Sequence, residues 1–176
     1  MVLGSSPSGP TNLQMKKIKL TSFEEGNIQS PDGKLALVVG LGIVMLQVPG
    51  KRAGTTRKVR IIKPSRLFLD PESAENGVDL RCGIWISNTR FLLNVWECFP
   101  NHPLFLEYQV TSNNAVLVGL YRSPIDTKGG CIETMGFDGA TQTLHFSDHM
   151  SEKTRKVTLA ALQANKAAKI ARPVFW

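Results

Sequence analysis

Short apolar–polar alternations separated by turn formers run from about residue 34 to 147, and this pattern leaves few folds open. The cleanest stretch sets Val78, Leu80, Cys82, Ile84 and Ile86 against Asp79, Arg81, Gly83, Trp85 and Ser87. Period two places each set on its own face of a strand. Ser87-Asn88 then turns the chain into Arg90–Cys98. Leu104–Val110 and Ala115–Tyr121 flank Ser112-Asn113-Asn114, and Cys131–Phe137 and Thr141–Phe146 flank Asp138-Gly139, which fits a two-residue primed turn. Three hairpin signals in series favour an antiparallel barrel or sandwich over a parallel sheet.

Upstream, Lys34–Val48 is β-rich apolar sequence whose Gly40 and Gly42 weaken a helix, so it reads as a buried strand or strand pair that Pro49-Gly50 ends. Arg57–Leu69 alternates Val59 and Ile61 against Lys58, Arg60 and Ile62, with Pro64 demoting its second half to an edge or bend. The total is about eight or nine strands.

The ends differ. Residues 1–14 are rich in Ser, Gly and Pro and are expected to form a flexible arm, leaving 15–176 as one β-rich domain. Lys16, Lys17 and Lys19, interleaved with Met15, Ile18 and Leu20, fit a short edge strand or an arm. Met150–Ala171 is rich in Ala, Lys and Leu and lacks Gly and Pro. Val157, Ala160, Ala161, Ala164, Ala167, Ala168 and Ala171 make a 3.6-period stripe, and Asp148 or Ser151 can cap its start. The expected class is therefore mainly β with a C-terminal helix over 150–171 closing the domain, an α+β arrangement. Phe175 and Trp176 form an apolar terminus expected to be covered by the fold, a partner or a membrane interface.

No catalytic signature appears. His145 and His149 flank Asp148 without an H-E-x-x-H spacing, and Ser147-Asp148-His149 cannot form a triad from adjacent residues. Gly40-Leu41-Gly42 lacks the third glycine of a dinucleotide loop. Neither a catalytic residue nor a metal or cofactor is expected. Cys82, Cys98 and Cys131 are too few for a closed disulfide framework and too far apart for a structural zinc site. The absence of a glycosylation sequon, of a leader-like start and of a run of ~20 apolar residues points to an intracellular protein without a transmembrane segment. Trp85, Trp96, Phe91, Phe99, Phe105 and Tyr108 fall on expected strands and read as core rather than as base-stacking platforms.

Charge is the most informative remaining feature. Residues 1–69 hold 11 basic and 3 acidic side chains, 70–149 hold 4 and 10, and 150–176 hold 6 and 1, so +8, −6 and +5 sum to the net +7. Basic ends around an acidic middle suit contact with a polyanion and head-to-tail self-association. The densest cluster is Lys51, Arg52, Arg57, Lys58, Arg60, Lys63 and Arg66, with no acid between Asp32 and Asp70. These are the first candidates for binding nucleic acid or anionic lipid. Lys153, Lys156, Lys166 and Lys169 come second. Asp70, Glu72 and Glu75, with Phe175 and Trp176, are the candidates for self-association.

Taken together, the basic segments Lys16–Leu20 and Lys51–Arg66, the strand pair Val78–Cys98 and Ser151–Ala171 as a late helix following strands resemble the layout of a viral structural protein. The likeness is to matrix proteins of negative-strand RNA viruses, especially the short ones of plant rhabdoviruses. The chain has neither a P-P-x-Y nor a P-[ST]-A-P motif. The resemblance implies a virion protein of the host cytoplasm that self-associates, touches the inner leaflet of an anionic membrane and condenses an RNA nucleocapsid, with no small-molecule substrate. A small RNA-packaging coat protein is similar in layout, although only three Lys fall in the first 30 residues. A movement protein binding single-stranded nucleic acid is the third class of this kind.

Overall fold

A computed structural model describes residues 18–22, 26–40, 43–61, 79–96, 103–112, 114–127, 132–148 and 153–164. Within them lie three antiparallel sheets. The first runs β1 (Ile28–Gln29), β2 (Ala36–Gly40), β3 (Ile43–Pro49), β4 (Thr56–Arg60). The second has five strands: β5 (Asp79–Trp85), β6 (Arg90–Trp96), β7 (Leu104–Thr111) and β8 (Asn114–Arg122) pair in order, and β12 (Gln163–Ala164) joins β8. The third is β9 (Ile132–Asp138), β10 (Thr143–Asp148), β11 (Thr154–Thr158), with β10 in the middle.

The five-stranded sheet is the central layer. Its β6 and β7 send alternate side chains into two separate cores. Phe91, Leu93, Leu104, Leu106 and Tyr108 pack with Leu37, Val44, Leu46 and Val48 of the first sheet. Leu92 and Phe105 pack with Met135, Leu144, Phe146 and Val157 of the third. Register places Phe91 opposite Tyr108, and their rings stack with centroids 5.3 Å apart. Trp85 meets Phe91 edge-on at 5.1 Å and donates its Nε1–H to the Ile28 carbonyl at 2.8 Å, which ties β1 to the central sheet. Each such fully buried large apolar side chain contributes about 1.5–3 kcal/mol.

Covering both faces requires polar groups there to be satisfied. Asn94, on the third-sheet side, donates Nδ2–H to the Leu104 carbonyl at 3.0 Å. Glu107, 3% exposed, accepts from Arg90 Nε at 2.7 Å and from a second guanidinium nitrogen. Cys82 is fully buried beside the Ile132 carbonyl, and burial raises its thiol pKa well above the ordinary value.

The antiparallel, sandwich-like architecture expected from the alternation is present, with twelve strands among the described residues, two of them only two residues long. The apolar run before Pro49 is a strand pair, β2 and β3. Two expectations need correction. Thr154–Thr158 is a strand, and Leu159–Ala161 is a single 3-10 turn leading into β12, so no helix occupies 154–164; the remainder of the expected helix, 165–171, lies outside the described residues. Thr154, Val157 and Thr158 are β-branched, and pairing with β10 buries Val157 opposite Leu144, which outweighs the helix preference of the alanines that follow. The turn after β9 spans four residues rather than two, because Asp138 pairs with Thr143. Asp138 Oδ1 accepts the Ala140 amide at 3.0 Å and Oδ2 accepts the Thr141 hydroxyl at 2.8 Å, and Gln142 takes the left-handed φ of 52°.

The chain before β1 also has a place. Thr21 forms a two-way backbone bridge with Met135 at 2.8 and 2.9 Å, so residues 18–22 run beside β9. Gly136 permits this approach, since a Cβ there would lie 2.7 Å from the Lys19 carbonyl. The expected arm, residues 1–14, lies outside the described residues.

Candidate polyanion-binding surface

The β3–β4 hairpin carries the leading cations. Its loop, Gly50 to Thr55, is closed by Gly50 N–H to the Thr55 carbonyl at 2.7 Å. The Thr55 hydroxyl and amide both donate to the Arg52 carbonyl, at 2.7 and 3.1 Å. Gly50 is dictated by space, because a Cβ would collide with Thr55 Oγ1 and crowd the Thr55 backbone; Gly54 is dictated by its φ of 77°. The result is a fixed tip that holds Lys51 and Arg52 in solvent.

Strand β4 continues the display. Register sets Arg57 opposite Val48, Lys58 opposite Gln47 and Val59 opposite Leu46. Val59 packs against the core, Ile61 just beyond the strand is fully buried, and Arg57 and Lys58 are both exposed. Among the described residues none of Lys51, Arg52, Arg57 and Lys58 forms an ion pair, whereas Lys34 has Asp32 at 3.7 Å. Arg60 falls on β4 with its backbone alone described. Lys63 and Arg66 lie outside the described residues, as do the proposed self-association residues Asp70, Glu72, Glu75, Phe175 and Trp176.

The second set lies on the third sheet. Lys153 precedes β11 and is exposed; Lys156 is exposed on β11 opposite His145. Burial and then the Lys156 charge hold His145 below the usual imidazole range, with Asp138 opposing them. Lys166 and Lys169 lie outside the described residues.

The two sets therefore do not meet on one face. They occupy outer layers on opposite sides of the central sheet, joined to it through different cores. They share a construction that the sequence displays: Thr-Arg-Lys-Val occurs at 56–59 and again at 154–157. Each copy is the outermost strand of its sheet among the described residues. In each, Val faces inward, opposite Leu46 or Leu144, and Lys faces outward, opposite Gln47 or His145. Arg155, absent from the candidates, takes the position of Arg57 and is half-buried opposite Phe146. Cations on an edge strand repel other strands and attract phosphates by the same field.

The described strand aromatics are not part of this surface; Phe99 and the Trp96 side chain lie outside the described residues. Trp85, Phe91, Phe105 and Tyr108 are buried in the two cores, out of reach of stacking bases. Among the described residues, no group of three His, Cys, Asp or Glu is placed to hold a metal, and no helix is long and apolar enough to cross a membrane.

Fold and surface together define a layered β protein with two cationic edge strands. No protein-family model and no curated protein matches the chain.

Proposed function

We propose that this chain is a non-enzymatic virion assembly protein of the matrix type, which self-associates and bridges an RNA nucleocapsid and an anionic membrane. The observation that supports it most is the β3–β4 hairpin, where Lys51, Arg52, Arg57 and Lys58 stand exposed without a neutralising acid among the described residues. Such a cluster attracts phosphate irrespective of base sequence. Each cation close to an anionic lipid surface adds about 1 kcal/mol, and an oligomer multiplies weak contacts through avidity. The Thr-Arg-Lys-Val edge on the third sheet supplies a second cationic site on the far side of the central sheet, as bridging requires.

The test is co-sedimentation with phosphatidylserine vesicles and titration of single-stranded RNA over a range of salt. Four phosphates neutralised on a single strand give a log–log salt slope of about −3. Replacing Lys51, Arg52, Arg57 and Lys58 with Glu should remove most of both activities. A chain that ignores vesicles and RNA at low salt refutes the reading. Binding RNA while ignoring vesicles, with closed shells in electron micrographs, moves it to the coat class.

A further inference from the structure

Strands β4, β11 and β8 each have a long open side among the described residues, and they differ in charge. β4 and β11 each expose a lysine, but β8 carries no charge at all from Asn114 to Tyr121. Its outer side is paired with β12 only at Tyr121 and Arg122, leaving Asn114–Leu120 without a strand partner among the described residues. On this stretch sit Val116 and Val118, each 50% exposed, the exposed large hydrophobics of the described residues. Edge strands normally carry a charge or a proline to prevent pairing, and this one lacks both.

We propose that the open side of β8 pairs with β8 of a second copy of this chain, antiparallel and about a twofold axis near Leu117. The proposal deepens the self-association in the reading above by naming its surface. A twofold there sets Val116 of each copy beside Val118 of the other, and no charge from Asn114–Tyr121 opposes another. Pairing through β4 or β11 would instead bring like cations together. The edge already accepts a strand, since β12 binds its C-terminal end antiparallel. The bulge that skips Val118 in the β7–β8 ladder keeps the new ladder short, so the association depends on the valine contact.

Sedimentation equilibrium of the full chain should show a monomer–dimer equilibrium. Val116→Lys and Val116→Glu should both weaken it by at least about tenfold, since either sign places like charges across the axis. Position 116 is exposed, and far-UV circular dichroism should confirm that both variants stay folded. The two should move RNA affinity in opposite directions, which separates this surface from the cationic hairpin. A strict monomer overturns the proposal, as does a dimer indifferent to both substitutions. If dimers form as described but bind neither RNA nor vesicles, the edge assignment stands and the matrix reading falls.

Discussion

Strand β7 buries five consecutive side chains, Leu104 to Tyr108, whereas β4 exposes Thr56, Arg57 and Lys58 in succession. Both are antiparallel strands in hairpins; the difference is where they sit. β7 lies inside the central sheet, with one core on each face, so each of its residues is constrained by packing. β4 lies at a margin, where Val59 and the nearby Ile61 secure it and the other positions are free to carry charge. The centre thus accounts for stability, and the margins are left to carry the proposed polyanion contacts.

The sharpest way to break that division is to truncate both regions. Leu106→Ala should cost about 3 kcal/mol in urea unfolding, since the side chain is fully buried and leaves a cavity. Lys58→Ala should stay within about 0.5 kcal/mol of the parent. Similar losses from the two would refute the comparison.

Next in size is the polar contact of the centre. Arg90→Ala strands the buried Glu107 carboxylate and should cost about 2 kcal/mol, moderated because about half of the Arg90 side chain meets water. Adding Glu107→Gln to that variant should recover part of the loss, a coupling that a double-mutant cycle measures. Simple additivity would show that the pair is not interdependent.

At the margin the effect moves to binding. Lys58→Ala should weaken attachment to anionic vesicles about fivefold and lower the RNA salt slope by about one unit, with the melting temperature unchanged. Loss of binding accompanied by loss of fold would place Lys58 in the structure rather than on a binding surface.

The smallest expected effect concerns β11. Folding lowers the His145 pKa from 6.5, so the unfolded chain takes up its proton first as pH falls. Stability contributed by the neutral imidazole is therefore full above about pH 6.5 and declines as acid is added through that value. Lys156→Ala should raise the His145 pKa in an NMR titration without restoring it fully, because burial is the larger cause. No movement would separate the β11 cation from its neighbour on β10.

The hairpins of the central and third sheets were legible because period two, turn residues and strand length agreed locally. Strands β6 and β7 were legible as apolar runs, though their position between two cores was not, since one strand's sequence does not say how many layers cover it. The stretch after residue 153 misled because Ala and Lys favour a helix in isolation, while the decisive partner, β10, lies across a turn. Repetition of Thr-Arg-Lys-Val was the available clue. The Arg90–Glu107 contact was beyond sequence reasoning: 17 residues separate the two, and only the β6–β7 register brings them together. The same limit applied to the cationic sets, whose separation onto two outer layers depends on sheet stacking.

That stacking has a mechanical corollary. Packed sheets lie ~10 Å apart, so three layers hold the backbones of β4 and β11 roughly 20 Å from each other, and their outward lysine ammonium groups farther still. Neighbouring phosphates on one strand cannot span such a gap. Any ligand engaging both edges must curl around the body, or else two separate ligands are kept at a set standoff by a rigid spacer whose thickness is fixed by its own cores.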